Sequence, residues 1–315
     1  MEAKEPIIIT EKEEMRKWSR FARAQGKTIG FVPTMGYLHE GHLSLIREAQ
    51  KHAQVIVVSI YVNPGQFSLN EDLSTYPSDF LGDIEKLKSL PCGIDAVFSP
   101  RNLYDYGDGC GRSRLEMAHR TEGNAISCVE ENGGGGHQTW VAVERLGKGL
   151  CGKSRPIFFR GVATVVTKLF NIVEPDFAVF GKKDYQQWRI IQKMVRDLDF
   201  GIKVIGAEVV REDDGIAMSS RNVRLSPDER KQALSISQAL SKAKVAAEKG
   251  GLVNCKDLRD VVIKTIEEAG GRIDYAEIVD QESLEPAEVI EMPMAFCVAA
   301  WFGSVRLIDN VEINV

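Results

Sequence analysis

The chain has 315 residues, 43% of them apolar and 27% charged, an ordinary globular composition that excludes a disordered or collagen-like chain. With 40 Lys and Arg against 45 Asp and Glu, the formal charge of −5 leaves no broad basic surface for nucleic acid, so a bound anion must be held locally. At about 150 residues per domain, this length implies roughly two domains.

The six cysteines, at positions 92, 110, 128, 151, 255 and 297, form no C-x-x-C pair and no metal-chelating spacing, which fits reduced thiols in an intracellular protein. The start, MEAKEP, lacks a basic segment followed by an apolar one. The uncharged apolar run Met292 to Val305 is shorter than the ~18 apolar residues of a membrane span. The expectation is a cytoplasmic protein that contacts neither membrane nor nucleic acid.

In chain order, Thr28 to Thr34 and Gln54 to Val62 are β-branched, nearly continuous apolar runs, the pattern of strands buried on both faces of a parallel sheet. Between them, Leu43, Ile46, Ala49 and Ala53 recur at helical spacing, which makes a βαβ unit. The pattern continues with a helix near Asp79 to Leu90, a strand at Asp95 to Phe98, a helix at Val162 to Val173, a strand at Phe177 to Gly181 and a helix at Asp184 to Asp199. This alternation predicts an α/β, Rossmann-like doubly wound parallel sheet. Residues 101–137, rich in glycine and charge, read as a surface loop, and Trp140 to Leu146 alternates like an exposed strand.

After Val210 the pattern changes. Ser226-Pro227-Asp228-Glu229 combines a Ser N-cap, a first-turn Pro and a capping-box Glu, and it opens a helix running to about Gly250. A helix from about Asn254 to Ala269 and strands at Ile273 to Val279, Phe296 to Ala300 and Val305 to Leu307 complete a smaller α+β unit. The expected domains are residues 1–209 and 210–315.

Four segments carry candidate chemistry. In PTMGYLHEGH, which includes Met35 and Gly36, the imidazoles of His39 and His42 flank a helix start at Gly41, where backbone N–H groups and the dipole favour phosphate. Without that context, His-x-x-His would equally fit a solvated pair or half of a metal site. YVNPGQF places the neutral amides Asn63 and Gln66 at the carboxyl end of the next strand, suited to orienting hydroxyls and a carboxylate. FGKKDYQQ supplies Gly181, Lys182, Lys183, Asp184 and Gln187 at another strand-to-helix junction, where paired lysines at a helix start call for an anionic neighbour. AMSSRN offers Met218, Ser219, Ser220 and Arg221 in a loop able to close over a polyphosphate. A fifth segment, GKGLCGKS at Gly147 to Ser154, matches the P-loop spelling, but Pro156 interrupts the helix that motif requires.

Together, in this order, the four segments and the run RGVATVVTKLFNIVEPD from Arg160 to Asp176 resemble the pantothenate synthetase (pantoate–β-alanine ligase) family of the nucleotidyltransferase superfamily, and the wording is most similar to its plant members. The resemblance implies an ATP-dependent ligase that condenses pantoate with β-alanine through a pantoyl adenylate, with ATP as substrate accompanied by Mg2+, and a homodimer formed through the N-terminal domains. It implies that Met35 to His42 and Gly181 to Asp184 bind ATP, with His39, His42 and Lys183 on the phosphates and His42 as proton donor. It further implies that Gln66 and Gln187, with Asn63 nearby, hold pantoate, that Val210 contacts adenine through its backbone, and that Met218 to Arg221 form a lid. Another nucleotidyltransferase of the same superfamily is the alternative, and a P-loop nucleotide-binding protein using residues 147–154 is a more remote one. Three departures stand out: Leu150-Cys151-Gly152 and Ile157-Phe158-Phe159 replace the family's Leu-Glu-Gly and Gly-His-Phe, the glycine-rich loop around Cys110 to Gly136 is longer than in typical bacterial members, and Gly65 stands where Thr or Met is common.

Overall fold

The computed structural model describes residues 5–69, 71–104, 129, 137–249 and 253–314. The first unit opens with β1 (Ile7–Ile9) and α1 (Lys12–Ala24), neither of which the sequence pattern assigned. β2 (Ile29–Thr34), α2 (Glu40–Gln50) and β3 (Val55–Ile60) form the expected βαβ unit, with Leu43, Ile46 and Ala49 of α2 buried against the strands. α3 (Phe80–Lys88) and β4 (Ala96–Phe98) follow. After the one-turn α4 (Cys151–Ser154) come α5 (Phe158–Val173), β5 (Phe177–Gly181), α6 (Tyr185–Asp197) and β6 (Lys203–Ala207).

These strands make one six-stranded parallel sheet in the order β1-β4-β3-β2-β5-β6. From β2 the chain builds outward through β3 on one side, and later places β5 on the other. The β2–β5 boundary is therefore the point where strand order reverses, which is where open α/β sheets bind ligands. The two strands pair only at Gly30–Phe177 and Phe31–Ala178. Their carboxyl ends, Thr34 and Gly181, both line the large cavity described below.

The second unit contains α7 (Pro227–Glu248), β7 (Val253–Asn254), α8 (Cys255–Glu268), β8 (Arg272–Asp280), β9 (Val289–Ile290), β10 (Met294–Phe302) and β11 (Val305–Ile313). The capping box holds as read, with the Glu229 backbone N–H donating to Ser226 Oγ and the Ser226 N–H to Glu229. Its three-stranded antiparallel sheet runs β11-β10-β8. β10 is nearly wholly buried because its faces serve different cores: Phe296, Val298 and Ala300 pack with α7 and α8, while Ala295 and Cys297 join the core of the first unit.

Three readings change. Trp140 to Leu146 forms no strand; the Val141 N–H donates to Thr164 Oγ1 on α5, and turns begin at residue 144, so the alternation reflects a segment lying along a helix. α5 starts one turn earlier than its apolar run, two residues after Pro156, and β11 is longer than expected. Most of residues 101–137 lies outside the described residues. Among the described residues, no helix is long and apolar enough to cross a membrane, and Cys92, Cys151, Cys255 and Cys297 are free thiols.

Candidate active site

A cavity of about 650 Å³ opens at the β2–β5 boundary and extends between the two sheets, within the range that takes a nucleotide-sized ligand. Its lining includes Met35, His39, Gly41 and His42 from the β2–α2 junction, and Asn63 and Gln66 from the turn after β3. Gly181, Lys183, Asp184 and Gln187 line it after β5, and Val210, Met218, Ser219, Ser220 and Arg221 line it from the loop before α7.

The first segment is shaped by Asp83 on α3, whose buried carboxylate accepts the backbone N–H groups of Tyr37 (2.8 Å) and Leu38 (2.6 Å). Gly36 serves this turn, with φ of +84°, and does not line the cavity. The brace was missed in sequence although a signal existed: Asp83 lies one residue before Ile84 and four before Leu87, on the helix face that is buried.

His42 Nδ1 accepts the His39 backbone N–H at 3.3 Å, so the neutral ring of His42 carries its proton on Nε2. Burial first, then the charge of Lys183, lowers the His39 pKa to about 4; burial, the His39 ring and Lys183 push that of His42 well below the ordinary imidazole value. Both rings are therefore neutral near pH 7. Gly41 is what permits the packing, since a Cβ there would stand 2.9 Å from the His39 ring.

Asn63 caps the 3-10 turn Pro64–Gln66, its Oδ1 accepting the Gly65 N–H at 3.2 Å and the Tyr104 hydroxyl at 2.7 Å. Its Nδ2 donates to Gln66 Oε1 at 2.9 Å and to the Gly161 carbonyl at 3.2 Å. The turn rests directly on α5, where a Cβ at Gly161 would lie 2.1 Å from the Gly65 carbonyl oxygen. Gln66 is left with a weak contact from Nε2 to Met35 Sδ at 3.4 Å, easily exchanged for a stronger acceptor.

The two lysines diverge. Lys183 lines the cavity, 3.2 Å from Asp184, whereas Lys182 is absent from the lining and pairs with Glu312 at 2.8 Å and with Glu208 at 2.5 Å. Asn310 on β11 fixes this turn, its Nδ2 donating to the carbonyls of Lys182 and Lys183, both at 2.9 Å. Val210 and Met218 are partners across a short hairpin, the Met218 N–H donating to the Val210 carbonyl at 3.0 Å.

The P-loop spelling at Gly147 to Ser154 folds otherwise. Turns precede it, and several of its N–H groups are already used: Cys151 donates to Gln186 Oε1, Gly152 to the Gly149 carbonyl and Lys153 to the Leu150 carbonyl. Cys151 sits in the cavity wall with its Sγ 3.2 Å from the Tyr275 hydroxyl and 3.4 Å from Arg306, while Phe158 lies under the Arg155 guanidinium at 3.8 Å. Sequence reading also missed Glu71, Asp72 and Tyr76, which line the cavity from a separate turn and carry no local signal.

Residues 7–312 match the family model described as pantoate-beta-alanine ligase. The chain is 64% identical to the pantoate–beta-alanine ligase of Lotus japonicus, over 98% of this chain and 99% of that protein, and 63% identical to that of Arabidopsis thaliana, over 99% of each. Among solved structures, pantothenate synthetase from Thermus thermophilus superposes with a TM-score of 0.81 at 37% identity, covering 98% of this chain and 100% of that one. The pantoate-beta-alanine ligase of Francisella tularensis, solved with beta-gamma ATP and beta-alanine, gives 0.72 at 30% identity over 97% of each chain. With the family model spanning nearly the whole chain and these relatives covering both units, the chain belongs to the pantoate–β-alanine ligase family of ATP-dependent ligases.

Proposed function

We propose that the cavity performs adenylation followed by amide formation. A pantoate carboxylate oxygen attacks the α-phosphorus of ATP and diphosphate leaves, giving pantoyl adenylate. The amine of β-alanine then attacks the acyl carbon, AMP leaves, and the nitrogen gives up a proton to yield pantothenate. The observation that carries this reading is the convergence of all four segments on one cavity at the strand-order reversal.

In this reading the neutral imidazoles of His39 and His42 donate hydrogen bonds to phosphate oxygens, and the free N–H groups of the first turn of α2 add to them. Lys183, Ser219, Ser220 and Arg221 meet the rest of the phosphate charge, with Gly181 and Asp184 beside it and the Val210 backbone and Met218 at the adenine end. Gln66 and Gln187 hold pantoate, and Asn63 fixes Gln66. Lys182 and Gly36 act by shaping the turns. Mg2+ is assigned to the ATP phosphates, whose charge it neutralises.

The same reading divides the chain at residues 1–209 and 210–315. It is supported by the parallel sheet ending at Ala207 and by the lid hairpin that follows. It includes a homodimer, for which the exposed Phe21, Leu81 and Leu198 of the first unit offer apolar surface, and residence in the cytoplasm, where the free thiols would stay reduced. Exchange of labelled diphosphate into ATP tests the route: it should require pantoate and not β-alanine, and His42→Ala or Lys183→Ala should slow it by about two orders of magnitude or more. Exchange that needs the amine would exclude the adenylate.

A further inference from the structure

One wall of the cavity is a strap made of Glu71 and the 3-10 turn Asp72–Thr75, ending at Tyr76. It touches the lid at several points. Asp72 takes Arg221 through two bonds, Nε at 3.2 Å and a terminal nitrogen at 3.1 Å, and it takes Arg224 at 2.6 Å. Arg224 also donates to the Thr75 carbonyl, and the Tyr76 and Ser220 hydroxyls lie 3.1 Å apart. Glu71 pairs with Arg155, which also faces the cavity.

Arg221 therefore has a protein anion as partner in the place where it would meet phosphate. Both groups are about three-quarters shielded, the carboxylate 26% and the guanidinium 27% exposed, so the pair is screened less than a surface ion pair and competes effectively. Arg224 makes the exchange easy. When Arg221 turns to a phosphate oxygen, Asp72 keeps a cation at 2.6 Å and is not left as an unpaired, half-buried charge.

We propose that Asp72 is a positioning residue that shares Arg221 with the phosphates, holding the guanidinium at the cavity and recovering it as diphosphate leaves. The proposal rests on reading Arg221 as a phosphate ligand. The exchange involves no covalent step: one ion pair replaces another, and the recovered pair favours release of the first product before the amine attacks.

The test is inhibition by inorganic diphosphate in the complete reaction. Asp72→Asn keeps the shape and removes the competing charge, so the inhibition constant should fall by about fivefold or more, the scale of coupling between touching charged groups. Arg224→Ala leaves Asp72 to Arg221 alone, so the constant should rise by a similar factor, about fivefold. General damage to the strap would move both variants in one direction. In an Arg221→Ala background both effects should vanish. An unchanged or raised constant in folded Asp72→Asn, an unchanged or lowered one in Arg224→Ala, or effects that persist without Arg221, would overturn the proposal. If Arg221→Ala itself leaves ATP and diphosphate affinity unchanged, the assignment of Arg221 to the phosphates fails instead.

Discussion

His42 Nδ1 accepts the backbone N–H of His39 while the two rings lie with centroids 4.0 Å apart, a packing that would set two charges against each other if both were protonated. Burial next to Lys183 removes the conflict by keeping both rings neutral. The site thus gains donors that need no proton from solvent at neutral pH.

The pH dependence of stability follows. In the unfolded chain both imidazoles return to about 6.5, whereas in the folded protein His39 lies at about 4 and His42 well below the ordinary value. Between those values the unfolded chain binds more protons, so this contribution is complete above pH 6.5 and is lost as pH falls toward the folded values. Urea unfolding at pH 7.5 and 5.0 should show lower stability at the acid end, and a His39→Gln, His42→Gln variant should show a smaller difference. Equal pH dependence in both proteins would place the effect elsewhere.

Gly161 is constrained by backbone. A Cβ there would stand 2.1 Å from the Gly65 carbonyl oxygen and 2.5 Å from Gln66 Cα, neither of which is a flexible side-chain end. Gly161→Ala should lower stability by about 1–3 kcal/mol through overpacking and should raise the KM for pantoate as Gln66 is displaced. Gly201→Ala, where a Cβ would meet nothing within 4 Å, is the control and should leave both unchanged. Thermal melting and steady-state kinetics on the two variants measure the contrast.

β2, β3 and β5 were legible in the sequence because burial on both faces writes a continuous apolar run, and α2 because one face does. β1 and β6 were not, being three and five residues at the sheet edges with partly exposed side chains. The site divides in the same way. Residues at strand-to-helix junctions stood out, while Asp72 and Asn310 reach it through tertiary packing and have no local pattern. Lys182 and Lys183 are adjacent in sequence, and only the carboxylates of Glu208 and Glu312 decide which of them turns away.

The hairpin that pairs Val210 with Met218 hangs on Arg211, whose guanidinium donates to the buried Asp309 at 2.6 and 3.0 Å and to the Gly215 carbonyl at 3.1 Å. Arg211→Ala leaves that carboxylate without its cation and should cost about 2–3 kcal/mol, discounted from a fully buried pair for the exposure of the arginine. The KM for ATP should rise while that for pantoate holds. Replacing the pair together, Arg211→Met with Asp309→Leu, should recover most of the stability without restoring ATP affinity. Recovery of both would make the arginine a packing element only.

Asn63 and Gln66 should separate in their effects although they touch. Asn63 is buried with both ends of its amide committed, to Gly65 and Tyr104 on one side and to Gln66 and Gly161 on the other. Asn63→Ala leaves several of these groups unpaired and should lower stability by about 1–3 kcal/mol as well as activity. Gln66→Ala removes only the acceptor from Asn63, which retains Gly161, and a weak contact to Met35 sulfur. Its stability should stay within about 1 kcal/mol of the parent, while kcat/KM for pantoate should fall about 10- to 100-fold, the worth of a hydrogen bond to a charged group. Urea melts beside pantoate kinetics decide the matter: a Gln66→Ala protein that loses stability as Asn63→Ala does, with unchanged pantoate kinetics, would assign Gln66 to the scaffold.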